Sequence, residues 1–324
     1  MKIGILGCGA YGLALSSILN KNNDIVMWTK FEDEMNNLKE TRSNDKVLPG
    51  YKLDSNINIT TDLASCINDS DLLIIAIPIL FFEETIITIK PYIKDQNILI
   101  ATKGITTDGL MAHEVVDKHL NTKNVGILSG PTFAIDLVSK NIAGFSIATK
   151  SNKTKKIVDK AFIKDNLKIE YITDLVGTEI CGSIKNVLAI SAGILKGLKS
   201  NESGQAMVIT GMINEIKNIL VGLKAETYTI LSLAGIGDIF LTCTSIKSRN
   251  FSLGKLIGEG KSKEEIDNYL NNTTVEGVYT LKAMKNLLDN NGIVSRDIDI
   301  IYNIVFNNRN PKDLLSYYVN KKSF

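Results

Sequence analysis

Several short stretches of this 324-residue chain pair glycine with polar residues in patterns that serve chemistry. The first is Gly7-Cys8-Gly9-Ala10-Tyr11-Gly12, set between an apolar run and a helical one. There the first glycine allows a tight turn, the second lets backbone approach a pyrophosphate, and the third lets helix pack closely on strand. The helix N-terminus then offers N–H groups and a positive dipole end to the anion. A purely structural glycine turn is the competing reading. About 20 residues on, an NAD-preferring site carries Asp or Glu at the end of the next strand. This chain reads Trp28-Thr29-Lys30 there, with no acid before Glu32. A cation at Lys30 would attract a 2′-phosphate, so competence with NADP is expected, against a merely solvated lysine.

A second set lies further along. Thr102-Lys103-Gly104 and Ser129-Gly130-Pro131-Thr132-Phe133-Ala134 each follow an apolar run. Lys185 and Asn186 interrupt an apolar helical stretch, flanked by Ile184, Val187, Leu188 and Ile190. A buried, paired lysine can serve as a general acid or base, while a lysine snorkelling from a helix edge is the plainer alternative. Asp238, in Gly235-Ile236-Gly237-Asp238, and Asn186 offer the partners that a buried ammonium requires. Arg249 stands between Ser248 and Asn250 and is one of only four arginines, with Arg42, Arg296 and Arg309. A guanidinium fork between two small hydrogen-bonding residues suits a phosphate or carboxylate. Together these groups describe hydride transfer on a phosphorylated small carbonyl or alcohol.

The elements that must position them come in two kinds. Apolar runs at 2–6, 24–28, 72–77, 97–101, 125–128 and 144–148 read as strands buried in a parallel sheet. They alternate with helical stretches at 10–19, from about 31, and at 153–164, and a short apolar piece follows at 167–172. From about 174 helical periodicity takes over, with amphipathic stretches at 176–198, 206–220, 253–259, 263–270 and 279–288. A Rossmann-type α/β half, residues 1–180, followed by an all-helical half, residues 181–324, is the expected organisation.

Composition narrows the class. Against 35 acidic residues stand 37 basic ones, a net charge of +2 that gives no field for a nucleic-acid partner. The apolar run at 72–82 is shorter than the ~20 residues a membrane span needs, and Pro78 interrupts it. Cys8, Cys66, Cys181 and Cys243 form no C-x-x-C pair, and His113 and His119 lack metal-ligand spacing. A reduced cytoplasmic protein with no metal and no membrane span is expected.

These residues, in this order, resemble the bacterial NAD(P)-dependent sn-glycerol-3-phosphate dehydrogenases along essentially the whole chain. The matching stretches are 7–12, 101–104, 129–134, 185–189, 235–244, 248–250 and 276–277. The resemblance implies a Rossmann-type domain followed by an all-α domain of the 6-phosphogluconate-dehydrogenase-like kind, usually as a homodimer. It implies interconversion of dihydroxyacetone phosphate and sn-glycerol 3-phosphate for glycerophospholipid synthesis, with NADP or NAD. Carried over by position, Lys185 matches the catalytic acid/base. Lys103, Gly130, Thr132, Asn186, Asp238, Thr242, Ser248, Arg249 and Asn250 match substrate-side groups. Gly7, Gly9, Ala10, Tyr11, Gly12, Lys30, Lys103, Ala134, Arg249 and Glu276 match cofactor-side groups. Ala10 replaces a common Ser, and Lys196, Gln205 and Gly211 depart from an acid, a basic residue and an Arg. Two other readings remain at this stage: another lysine-dependent dehydrogenase acting on a β-hydroxy acid, and a non-catalytic NADP-binding sensor.

Overall fold

A computed structural model describes residues 1–163, 165–245 and 248–321. The chain divides into two compact units, Met1–Lys103 with Ala112–Leu175, and Gly104–Met111 with Val176 onward.

The first unit is built on one eight-stranded sheet. Its strands are β1 (Lys2–Leu6), β2 (Asp24–Trp28), β3 (Asn58–Thr60), β4 (Leu72–Ile75), β5 (Asn97–Ile100), β6 (Val125–Ser129), β7 (Ala143–Ala148) and β8 (Leu167–Ile172). Their order across the sheet is β3-β2-β1-β4-β5-β6-β7-β8. Leu6 pairs with Trp28 on one side and Ile75 on the other, so the order reverses at β1. Ligands of open α/β sheets bind beyond the carboxyl ends of strands at such a switch point. The apolar runs became strands because helices cover both faces: every residue of β4, β5 and β6 is buried. The helices are α1 (Ala10–Leu19), α2 (Glu32–Thr41), α3 (Leu63–Ile67), α4 (Phe82–Ile89), α5 (Ala112–Leu120), α6 (Ala134–Val138) and α7 (Asn152–Ala161).

Two details differ from the sequence reading. The sheet is not wholly parallel, since β7 runs antiparallel to β6. Between these strands the five-residue α6 turns the chain back, where a full crossover helix would have carried it on parallel. The helix expected over 153–164 starts at Asn152, where the Ser151 hydroxyl accepts from Thr154 N–H, and ends at Ala161. Lys164 lies outside the described residues.

The second unit is helical: α8 (Leu175–Gly197), α9 (Glu202–Gly222), α10 (Asp238–Thr244), α11 (Arg249–Gly258), α12 (Lys263–Asn272), α13 (Glu276–Asn290), α14 (Arg296–Phe306) and α15 (Lys312–Asn320). Helix α8 is long and apolar enough to cross a bilayer, but 94% of its apolar window is buried inside the protein. Expected to be amphipathic, it is instead a core helix buried on nearly every face. Glycines make that possible. A Cβ on Gly193 or Gly197 would fall 2.1 or 2.3 Å from carbonyls of α11, and one on Gly254 or Gly258 would fall 1.9 or 2.2 Å from carbonyls of α8. Backbone therefore packs on backbone, holding α8 and α11 at a separation no side chain would allow.

The segment Gly104–Met111, which the sequence reading assigned to the first half, belongs to the helical unit. Asn286 and Asn290 of α13 donate side-chain N–H groups to the Thr107 and Asp108 carbonyls at 2.7 and 2.9 Å. Ile105 and Met111 are buried in the helical core. The C-terminal helix is fastened by Asp297, a buried carboxylate that accepts from the Tyr317 and Tyr318 hydroxyls and from Lys321 Nζ.

Candidate active site

In the sheet unit the site residues gather at the switch point. Gly7 follows β1 with φ +114°, where a Cβ would strike the Ala76 carbonyl at 2.4 Å. A Cβ on Gly12 would strike the Gly7 carbonyl at 2.0 Å, so the third glycine serves the packing of α1 on the turn. Gly9 is different. Nothing lies within 4 Å of its would-be Cβ, and no side chain caps α1, which begins at the next residue. Open space above a bare helix N-terminus fits a pyrophosphate.

Around this turn four of the candidate residues come together in two pairs. The Tyr11 hydroxyl, on the first turn of α1, bonds Thr132 Oγ1 at 2.9 Å. Lys103 Nζ donates to the Gly130 carbonyl at 3.4 Å. Thr102 donates to the Ile75 and Ile77 carbonyls and so pins the end of β5 to that of β4, which aims Lys103. Ala134 opens α6, which packs on α1. Lys30 stands exposed past β2, its Nζ 3.2 Å from Glu84 Oε1.

In the helical unit the central feature is an ion pair. Lys185 Nζ lies 2.5 Å from Asp238 Oδ1, with the lysine side chain 11% exposed and the aspartate 1%. Helix α8 supplies the lysine from its buried middle. Asp238 opens α10 after the π-helical turn Leu233–Gly237, where Gly235 packs against the Thr229 and Ile230 carbonyls. The Thr242 hydroxyl, one turn on, lies 2.7 Å from the Asp238 carbonyl and 3.4 Å from Oδ1. Thr242 thus braces Asp238. Beside them burial pushes the Cys243 thiol up to about 12, so it is inert at neutral pH.

Asn186 and Asn250 belong to a closed ring of hydrogen bonds. Gly277 N–H, which can only donate, bonds Asn250 Oδ1 at 2.8 Å. Asn250 Nδ2 must then face away, and it donates to Asn186 Oδ1 at 3.0 Å. Asn186 Nδ2 in turn reaches Glu276 Oε2 at 3.4 Å, and Glu276 precedes Gly277 at the start of α13. One backbone N–H thereby sets the polarity of both amides. Ser248 caps α11, its Oγ accepting from Phe251 N–H at 3.3 Å, and Arg249 follows it, exposed, on the first turn.

Residues 2–155 match the family described as the N-terminus of NAD-dependent glycerol-3-phosphate dehydrogenase, and residues 174–316 match its C-terminus. The chain belongs to the NAD-dependent glycerol-3-phosphate dehydrogenase family. It is 32% identical over 319 residues to a glycerol-3-phosphate dehydrogenase of the NAD(P)+ type from Teredinibacter turnerae, covering 97% of this chain and 92% of that one. A Leptospira biflexa protein of the same name is 33% identical over 321 residues, covering 97% and 96%. Among solved structures, glycerol-3-phosphate dehydrogenase from Coxiella burnetii superposes with a TM-score of 0.91 at 27% identity over 99% of each chain. The Plasmodium falciparum enzyme gives 0.87 at 26% identity, covering 100% of this chain and 96% of that one. The chain is therefore an NAD(P)-dependent oxidoreductase of this family, with its two-part architecture.

Sequence reasoning missed three groups in this family member. Gly277 was seen only as a matching position, because the close approach that makes it a glycine is tertiary. Phe31 and Phe81 are 66% and 54% exposed, in the segments that follow β2 and β4, where a ring can stack on a flat heterocycle. An aromatic residue a few positions past a strand end was the available signal.

Proposed function

We propose that this glycerol-3-phosphate dehydrogenase reduces dihydroxyacetone phosphate to sn-glycerol 3-phosphate, reversibly, with Lys185 as the general acid. The observation that carries this reading is the buried Lys185–Asp238 pair. The nicotinamide cofactor supplies the hydride for reduction and accepts it in oxidation. Lys185 holds a positive charge against the C2 oxygen as negative charge develops there, then gives that oxygen its proton. In oxidation the same nitrogen takes the proton back. Asp238, fixed by Thr242, keeps the ammonium aimed, and the ring through Gly277 keeps Asn186 oriented beside it on α8.

The remaining roles follow by position. Arg249, with Ser248 and Asn250, binds the substrate phosphate, and Arg249 also reaches the cofactor. Lys103, Gly130 and Thr132 serve substrate oxygens. Gly7, Gly9, Ala10, Tyr11 and Gly12 carry the pyrophosphate side of the cofactor, with Lys30, Ala134 and Glu276 as further contacts. The open space at Gly9 supports the first of these.

The active form is read as a homodimer, on the strength of the family resemblance. Light scattering that returns the 35.6 kDa of one chain overturns that reading. A cytoplasmic setting is supported by four buried cysteines, none of them in a disulfide. The test of function is oxidation of NADH and NADPH by the purified chain with dihydroxyacetone phosphate, compared with β-keto acids. Turnover on the phosphate ester is expected. Binding of nucleotide without turnover would favour a sensor, and turnover on the acids alone would favour the other dehydrogenase class.

A further inference from the structure

A dinucleotide held on the glycine turn after β1 brings its adenosine ribose to the carboxyl end of β2, where an acid marks a preference for NAD. By sequence no acid stands there. In the structure one does, delivered from further along the chain.

Glu34, on the first turn of α2, folds its carboxylate back to the end of β2. Thr29, the residue after β2, donates its hydroxyl to Glu34 Oε2. Asn44 Nδ2 donates to Oε1 at 3.1 Å. The Thr29 oxygen accepts in turn from Phe31 N–H at 3.3 Å, which leaves its proton for the carboxylate. Held at both oxygens and half-buried, Glu34 is a fixed charge, unlike a surface glutamate. Its field reaches the glycine turn, where burial first and the Glu34 charge second push the Cys8 thiol up.

Lys30 offsets little of this. Its ammonium already faces Glu84, and both side chains are well exposed, at 63% and 67%, so that pair is screened by solvent.

We propose that Glu34 is the specificity-determining residue for the cofactor: its fixed carboxylate accepts from the hydroxyl of an unphosphorylated adenosine ribose and repels a 2′-phosphate. The chain then takes NAD(H) in preference to NADP(H), the reverse of what Lys30 alone implies. The competing reading is that Glu34 only steadies the N-terminus of α2, which has no side-chain cap. The proposal rests on the dinucleotide reading of the glycine turn.

The experiment is direct binding of NADH and NADPH, followed by nicotinamide fluorescence, for the wild type, Glu34→Gln and Thr29→Val. Juxtaposed like charges are expected to make NADH the tighter ligand of the wild type by ~10-fold or more. Glu34→Gln keeps an acceptor for Thr29 but removes the charge, so NADH binding weakens, NADPH binding strengthens and the ratio narrows. Thr29→Val frees the carboxylate and narrows the ratio as well, which keeps the test open should one variant fold poorly. Wild type that binds NADPH at least as tightly overturns the proposal, as does a folded Glu34→Gln with an unmoved ratio. Binding of neither nucleotide overturns the dinucleotide reading, and the proposal falls with it.

Discussion

Lys185 Nζ and Asp238 Oδ1 lie 2.5 Å apart in the interior of the helical unit, one on the core helix α8 and the other at the first residue of α10. Such a pair is weak evidence for stability, since desolvation of both charges offsets their attraction. It is better explained by what it does to Lys185: it keeps an ammonium in a place that would otherwise expel one.

Replacing Asp238 by Asn leaves the Lys185 charge buried without its counter-charge. Breaking a buried pair from one side costs about 3–5 kcal/mol. Asp238→Asn should therefore lower the unfolding free energy by that order and cut kcat. Denaturant unfolding and steady-state kinetics check it. A variant of wild-type stability and turnover would show that the pair is incidental.

Gly277 is the smallest residue in the ring and the one that orients it. A Cβ there would lie 2.7 Å from Asn250 Oδ1, 2.8 Å from Ile190 Cδ1 and 2.9 Å from the Asn186 carbonyl. Gly277→Ala should push Asn250 off Asn186 and cost about 1–3 kcal/mol of stability through overpacking. Misplacing the proposed substrate-side groups Asn186 and Asn250 by about 1 Å can cost ~100-fold in rate, so kcat/KM should fall well beyond what lost stability explains. Unchanged kcat/KM in the folded variant would reduce the ring to packing alone.

Much of this was legible in the chain. The glycine turn showed itself because three glycines stand at fixed spacing between a strand and a helix, and Lys185 because a charge stood among apolar neighbours. The depth of α8 did not show, because its burial comes from glycines on α11 about sixty residues away that no window includes. The segment Gly104–Met111 was too short for any period, and its anchors are asparagines on α13. The antiparallel β7 is likewise tertiary, and the fold-back of Glu34 onto Thr29, though local, shows only once the turn before α2 is built. At the end of β2 the sequence offers Lys30, whereas the carboxylate that the structure brings there comes from Glu34.

The buried thiols should be unreactive in the native state. Burial pushes both Cys66 and Cys243 up to about 12, and Cys8 is raised as well. Thiolate is the reactive form, so alkylation near neutral pH should wait for unfolding. Mass spectrometry after iodoacetamide treatment, with and without denaturant, reads this out. Rapid native labelling of Cys243 would show that the region beside Lys185 opens.

Acid should loosen the sheet unit at one identifiable place. Hydrogen bonds from His119 and Lys118 hold the Glu83 carboxyl below its usual 4.5. A depressed carboxylate stabilises the fold above its unfolded value, and that contribution is lost as pH falls through the lower, folded value. Glu83→Gln should therefore flatten part of the decline in stability below 4.5 and reduce stability slightly at neutral pH. The effect is small, because the side chain is 32% exposed. Unfolding curves between neutral pH and acid that coincide for the two proteins would contradict it.

The role proposed for Lys185 is to move the proton. Single-turnover oxidation of bound NADH by dihydroxyacetone phosphate, for wild type and Lys185→Ala, tests it with cofactor affinity measured alongside. Loss of a general acid should slow the chemical step by ~100- to 10,000-fold, with binding of NADH retained. A folded Lys185→Ala protein that transfers hydride at the wild-type rate would show that another group supplies the proton.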